Sequence, residues 1–258
     1  MRHFFVDQSE LACQVPALRG TDARHIINVL RLKPEDRIGL FDGTGKQYEA
    51  RIVAIYSGKV EFSVIGSSSP AVESVLELVV GQSFLKEKKM DDLVRQLTEL
   101  GVTKWIPFIS ERSIPRPDDK RLYAREKRWE KIAKEAAKQC KRVKITGIGK
   151  TVPFEDVIAI EKDFDLKIVF WENEKNLLDP KSLAADHDDL KKILVMFGPE
   201  GGFSVNEIEK AKERGFITVS IGPRILKAET ATICACALMQ FLFGDMGQKN
   251  LDKNEGLK

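Results

Sequence analysis

The sequence predicts an α/β protein in two parts: a mostly parallel sheet flanked by helices, preceded by a small β-rich module. Three observations predict it. From about residue 73 onward, buried strand-like runs alternate with helical runs, the pattern of a parallel sheet. Before residue 66, apolar and polar residues alternate with a period of two around a glycine-rich turn, the pattern of paired antiparallel strands. The chain's 258 residues are long for one domain and comfortable for two. The expected divisions are 1–70, 71–246 and an unstructured tail at 247–258.

Each element has a local reason. "TDARHIINVLRLKPED" reads as a short helix. Thr21 or Asp22 caps it, Ile26, Ile27 and Leu30 form its apolar side, and Pro34 stops it. "DRIGLFDGTGKQYEARIVAI" gives two strands around Asp42-Gly43-Thr44-Gly45, and "GKVEFSVIG" adds a third. "GSSSPAVES", Gly66 to Ser74, has the composition of a linker. The period then changes. "LELVVGQSF" is a buried strand, and "KKMDDLVRQLTELGV" is a helix with Leu93, Leu97 and Leu100 on one stripe and Gly101 as its stop. "WIPFIS" is a further strand. In "DDKRLYAREKRWEKIAKEAAKQCKR", Leu122, Trp129, Ile132, Ala133, Ala136, Ala137 and Cys140 recur at helical spacing. "LKIVFWENE", "KKILVMFG" and "FITVSIG" are buried strands. Between the last two, Ser204 and Glu207 form the capping box of "SVNEIEKAKERG". A final helix starts near Glu229, and its apolar character on nearly every face implies burial in a core or an interface.

Composition excludes several classes of function. No run of 18 apolar residues exists, so no membrane helix is expected, and "MRHFFVDQSE" is no signal peptide. Cys13, Cys140, Cys234 and Cys236 show no C-x-x-C spacing and read as thiols in a reducing cytoplasm. The three histidines, His3, His25 and His187, are scattered, so no metal site is expected. Net charge is only +3, yet residues 111–150 hold 14 Lys and Arg against 6 Asp and Glu. Such a concentrated basic block on a near-neutral chain suggests a polyanionic partner.

Ligands on parallel sheets bind beyond the carboxyl ends of the strands. That rule selects three loops: Trp171-Glu172-Asn173, Gly198 to Phe203, and Ile221 to Thr230. "GPEGG" matches neither the dinucleotide fingerprint nor the phosphate loop, and Glu200 opposes a pyrophosphate. Its glycines instead let a ligand approach the backbone closely. In the last loop Gly222-Pro223 makes a second tight turn, Ile225 and Leu226 offer a floor for a ring, and Glu229 or Thr230 is placed to cap the following helix. Two Gly-Pro bends, expected at the ends of neighbouring strands, point to one shared pocket.

"FGPEGGFS", "IGPRILKAETA", "DDLVRQLTELGV", "SERS", "WEKIAKEAAKQCKR" and "HIINVLRL", in this order-specific combination along residues 1 to about 245, resemble the RsmE-type ribosomal RNA uracil-N3 methyltransferases of the SPOUT superfamily. The resemblance implies a PUA-like N-terminal β-barrel, an α/β domain with a C-terminal trefoil knot, and a homodimer. It implies S-adenosylmethionine as donor and the uracil at position 1498 of 16S ribosomal RNA, in the 30S subunit, as target. On the matching motifs it assigns the donor to Trp171, Glu172, Phe197, Gly198, Pro199, Glu200, Gly201 and Gly202, and to Ile221, Gly222, Ile225, Leu226, Ala228 and Thr230. Arg142 and Arg112 would stabilise the uracil anion. His25, Arg31, Lys86, Lys89, Gln139 and Arg224 would contact RNA. The chain departs from the family pattern at His3, Gln96, Lys138 and Thr146, positions placed on the RNA side of this reading.

Overall fold

The structure is a computed structural model that describes residues 2–68, 73–86, 88–114, 116–160, 164–179, 183 and 190–247. Most of the expected tail, residues 69–72 of the expected linker and His187 lie outside the described residues. Two compact units emerge: Met1–Glu73 with Ala137–Ile145, and Ser74–Ala136 with Thr146–Lys258.

The first unit is built on a five-stranded sheet. Its strands are β1 (His3–Phe5), β2 (Ala17–Arg19), β3 (Arg37–Phe41), β4 (Gln47–Tyr56) and β5 (Lys59–Ser68), in the order β1-β3-β4-β5-β2. Only β1 and β3 pair in parallel; the other neighbours are antiparallel. The turn at Asp42–Gly45 joins β3 to β4 as expected. Asp42 accepts from the Thr44 N–H, at 2.9 Å, and from the Thr44 hydroxyl, at 2.7 Å, which fixes that turn. Alternation puts Ile38, Leu40, Ala50, Ile52, Val60 and Phe62 on one buried face with Phe4, Leu18 and Ile26. The strand β5 runs on through Gly66–Ser68, residues whose composition reads as linker.

Two short helices complete this unit, α1 (Gln8–Leu11) and α2 (Gly20–Arg24), the latter passing directly into a π-helical turn at His25–Leu30. The expected cap is corrected here. Helix α2 starts at Gly20, straight out of β2, with Arg19 at its N-cap and no side-chain cap. Thr21 and Asp22 therefore sit inside the first turn, and the Asp22 carboxylate receives Lys138 Nζ at 3.0 and 3.1 Å.

The second unit carries a seven-stranded sheet in which every paired strand is parallel. Its order is β12 (Ile217–Val219), β10 (Leu166–Phe170), β11 (Lys192–Phe197), β6 (Glu77–Ser83), β7 (Lys104–Ile109) and β8 (Gly147–Ile148), with β9 (Val152–Pro153) also paired to β7. Helices α3 (Lys89–Glu99), α4 (Asp119–Cys140), α5 (Phe154–Ile158), α6 (Val205–Glu213) and α7 (Ala228–Phe243) occur in the described segments. Helix α3 buries Met90, Leu93, Val94 and Leu97, each worth about 1.5–3 kcal/mol of transfer free energy, and Gly101 at φ +81° ends it. Leu100 is only half-buried, at the C-cap. In α4, Trp129 packs edge-on against Trp105 at 5.0 Å and donates its indole N–H to Asp91 Oδ1 at 2.9 Å. The basic block is thus anchored by one apolar stripe, and Lys120, Arg121, Lys127, Arg128 and Lys131 are exposed. Helix α7 buries Thr232, Ala235, Cys236, Met239 and Gln240, while Phe241 is exposed.

Candidate functional site

Because the ladders are all parallel, the loops that follow β10, β11 and β12 leave the sheet at one edge. The strands lie side by side in the order β12-β10-β11. The two Gly-Pro bends, expected on neighbouring strands, are therefore separated by β10, and the Trp171-Glu172 loop fills the space between them. Together the three loops wall a cavity of about 460 Å³.

Local chemistry sets each wall. After β11, the Gly202 N–H donates to the Pro199 carbonyl at 2.9 Å and closes a tight turn. Gly202 has φ +66°, and a Cβ there would lie 1.9 Å from Glu172 Oε1. Glycine adopts that backbone without strain and lets the Glu172 carboxylate come this close. The helix α6 then begins at Ser204, whose capping box with Glu207 is present as expected. After β10, the Trp171 N–H bonds the Val219 carbonyl at 3.0 Å, and the Leu178 N–H bonds the Ser220 carbonyl at 2.8 Å. These bonds tie this loop to the end of β12. The phenyl rings of Phe170 and Phe197, last residues of adjacent strands, stack in parallel 5.1 Å apart and line the cavity from below. A Cβ on Gly222 would meet nothing within 4 Å, so that backbone faces open space.

The polar side of the cavity carries opposed charges. Glu200 Oε1 accepts from the Lys86 backbone N–H at 3.0 Å and from Lys89 Nζ at 3.0 Å. Lys89 Nζ also stands 3.5 Å from Glu229 Oε2. Burial pushes the Glu200 carboxyl upward, but the Lys86 N–H, its own N–H and the Lys89 ammonium outweigh this and hold it below the usual carboxylate range. The bond to Glu200 raises Lys89 above the ordinary lysine value. Glu229 does not cap α7, as the sequence suggested it would. Lys227 occupies the N-cap with no side-chain cap, and Glu229 sits one residue inside the helix facing Lys89. Beneath the bends lies Gln82, fully buried at the end of β6. Its amide nitrogen reaches the Gly198 carbonyl at 3.4 Å and its oxygen accepts the Thr232 hydroxyl at 2.7 Å.

Of the residues expected to hold a donor, Trp171, Glu172, Phe197, Gly198, Pro199, Glu200, Gly202, Ile221, Gly222, Ile225, Leu226 and Ala228 line this cavity. Gly201 and Thr230 do not. The Gly201 carbonyl accepts from Arg112 Nη1 at 3.0 Å instead, and Thr230 is exposed on the first turn of α7. Two residues expected at RNA, Lys89 and Arg224, line the cavity too. Pro223 and Lys227, within the last selected loop, line it as well, and so do Phe170, Ser220 and Ala231, which lie outside the selected loops. Phe170 was discoverable: it is the last strand residue before a selected loop.

Arg142 belongs to the first unit and is buried, 6% exposed. Its Nε and Nη2 reach Glu73 Oε2 at 3.2 and 3.1 Å, while Glu73 Oε1 accepts the N–H groups of Val143 and Lys144. In the same unit His25 is exposed, edge-on to Phe4 at 6.2 Å, Arg31 is exposed in the left-handed region at φ +52°, and Gln139 is exposed. The departures from the family pattern are not uniformly surface positions. Thr146 is 1% exposed and donates to the Val102 carbonyl at 2.8 Å, a buried structural bond. His3 contacts the Gln47 amide, and Lys138 pairs with Asp22, whereas Gln96 is exposed. Among the described residues, no group of three His, Cys, Asp or Glu is placed to hold a metal, and no helix is long and apolar enough to cross a membrane.

A family model described as an RNA methyltransferase domain matches residues 72–240, and one described as an RNA methyltransferase PUA domain matches residues 18–65. The chain is 31% identical over 228 residues to ribosomal RNA small subunit methyltransferase E of Buchnera aphidicola subsp. Acyrthosiphon pisum, covering 88% of each chain. It is 28% identical over 247 residues to the protein of that name from Bacillus subtilis, covering 93% of this chain and 96% of the relative. A crystal structure of ribosomal RNA small subunit methyltransferase E from Neisseria gonorrhoeae, bound to S-adenosyl methionine, aligns with a TM-score of 0.81 at 32% identity over 95% of this chain and 99% of that one. A putative methyltransferase from Legionella pneumophila, in complex with bound SAM, aligns with a TM-score of 0.82 at 26% identity over 95% and 98%. With both of its parts matched and a relative above 30% identity along most of its length, the chain belongs to the ribosomal RNA small subunit methyltransferase E family.

Proposed function

We propose that this chain transfers a methyl group from S-adenosylmethionine to N3 of a uracil in 16S ribosomal RNA, acting on the small ribosomal subunit. The observation that carries the reading is one cavity of nucleoside size, walled by backbone at two Gly-Pro bends and by the loop between them. The residues present suit that donor. Flat apolar side chains and bare backbone at Gly198, Gly202, Ile221 and Gly222 match an adenosine, with Ile225, Leu226 and Ala228 beside it. Glu172, exposed on the cavity wall and in no ion pair among the described residues, is the carboxylate that suits a cationic ligand, while Glu200 is paired with Lys89. Bound there, S-adenosylmethionine supplies an electrophilic methyl on a positively charged sulfur.

The chain's own residues do the remaining work. Uracil N3–H is a weak acid, and its loss puts negative charge on O2 and O4. A cation fixed beside those oxygens in a water-poor site favours that charge strongly. Arg112, whose guanidinium is held by the Gly201 carbonyl next to the cavity wall, is assigned this role. Arg142 is already committed to Glu73 and is assigned to holding the Ala137–Ile145 segment. N3 lies on the Watson–Crick edge, so the base is received unpaired. The basic face of α4 within the second unit, with Lys86 and Arg224, supplies phosphate contacts, and residues 1–70 form the PUA-like RNA-binding module before a methyltransferase domain at 71–246. The same reading includes the trefoil knot, a cytoplasmic location and a homodimer, the last supported by exposed Phe241 in the last turn of α7 and exposed Met246 beyond it.

The test incubates the protein with labelled S-adenosylmethionine and small subunits from a strain lacking the modification. Mass spectrometry of RNA digests then locates the label. A methyl on uracil N3 is expected; a methyl on a ribose, or no transfer, defeats the reading.

A further inference from the structure

We infer that Glu207 is a positioning residue that ties the turn carrying Arg112 to the bend that walls the cavity. The inference rests on the role assigned to Arg112 above. Glu207 is 3% exposed, and its two oxygens serve different loops. Oε2 accepts the Ser204 N–H at 2.9 Å and completes the cap of α6, directly after the glycine bend. Oε1 accepts the Glu111 N–H at 2.9 Å, one residue before Arg112. The next guanidinium returns the connection, because Arg112 Nη1 donates to the Gly201 carbonyl at 3.0 Å. Two bonds thus join the turn and the bend, one through a side chain of each.

The far side of the turn is pinned separately. Ser83 Oγ lies 2.6 Å from Ser110 Oγ and 2.8 Å from Ser113 Oγ, and those two lie 3.0 Å apart. All three serines are buried. The Ser110 N–H also donates to Ser113 Oγ at 3.0 Å. The turn is therefore held on both sides of Arg112.

A capping box needs one oxygen at this position, and glutamine serves it as well as glutamate. The second loop explains the carboxylate. Both of its partners are N–H donors, so a glutamine satisfies one and presents an NH2 group to the other. That distinction gives the test. E207Q, R112A and the double variant are compared for kcat of methyl transfer and for donor affinity by calorimetry. E207Q is expected to lower kcat about tenfold or more, because the Glu111 N–H loses its acceptor and the turn carrying Arg112 loosens, with donor affinity changed less than about threefold. In the R112A background the same change is expected to cost almost nothing further, because the group it aims is gone. A purely structural role gives losses that multiply, and that result, or an unchanged kcat in E207Q, overturns the inference while leaving Arg112 in place. An unchanged kcat in R112A overturns both. If E207Q does not fold, Ser113→Ala, which frees the same turn and leaves the capping box intact, enters the cycle with the same expectations.

Discussion

Two adjacent glycines in one bend are expected to behave differently. Gly202 sits at φ +66°, and its missing Cβ would lie 1.9 Å from Glu172 Oε1. Gly201 has no such φ, and its Cβ would find Arg112 Cβ at 3.5 Å, an ordinary contact. In Gly202→Ala the clash falls on the free end of an exposed glutamate, which swings away at small cost. The backbone cannot escape so easily, because a left-handed L-residue costs about 1–2 kcal/mol. Urea unfolding is expected to register a loss of that size for Gly202→Ala, and less than about 0.5 kcal/mol for Gly201→Ala. If the strained bend relaxes when no donor is bound, re-forming it raises the donor Kd by about 5- to 30-fold, the same energy expressed as a ratio. Calorimetry with S-adenosylmethionine reads that directly. Equal effects of the two substitutions on stability and on affinity would show that φ and the approach of Glu172 do not shape this wall.

Three further outcomes are expected. Arg142→Ala strands the Glu73 carboxylate, whose side chain is only 11% exposed, and is expected to cost about 3–5 kcal/mol in urea unfolding; an unchanged midpoint would remove the pair from the unit's framework. Glu200 titrates lower folded than unfolded, so its contribution to stability is complete above the unfolded value of about 4.3 and is lost as pH falls through the folded one. Glu200→Gln is therefore expected to flatten the acid limb of stability against pH, and a limb of unchanged steepness counts against the Lys86–Lys89 cradle. Lys131→Ala, on the exposed face of α4, is expected to reduce the slope of log affinity for RNA against log salt by about one, and an unchanged slope takes that residue off the RNA path.

The features legible in the sequence are those whose cause is local. The capping box of Ser204 and Glu207 spans four residues, the stop at Gly101 is one, and the buried strands announce themselves by unbroken apolar runs. The start of α2 departs from its sequence signal for an equally local reason. Thr21 and Asp22 are good caps by chemistry, but β2 delivers the chain to Gly20 already positioned to turn, and the caps are overtaken. What could not be read was pairing at a distance. Arg142 and Glu73 are 69 residues apart and Gln82 and Thr232 are 150 apart. An arginine in a basic stretch gives no sign that its own carboxylate waits upstream, so Arg142 read as a cation free for RNA.

Strand order is the deepest of these hidden facts, and it decides what the site is. A fully buried parallel strand is apolar on both faces, so its sequence carries no mark of its neighbours. Two Gly-Pro bends on adjacent strands would meet directly and leave a narrow slot. With β10 between them, the bends stand a strand further apart, and the residues after β10 become the middle of the wall. Glu172 therefore sits against Gly202 on the cavity wall, and the stacked Phe170 and Phe197 line it at the strand ends. The acids follow the same logic. Glu200 takes up the Lys86 N–H and the Lys89 ammonium on a wall of mixed charge that also carries Glu172, Arg224 and Lys227. With an acid where a phosphate loop carries a lysine, this glycine-rich bend has its nearest donors already satisfied, so a phosphate would have to displace Glu200 to bind them.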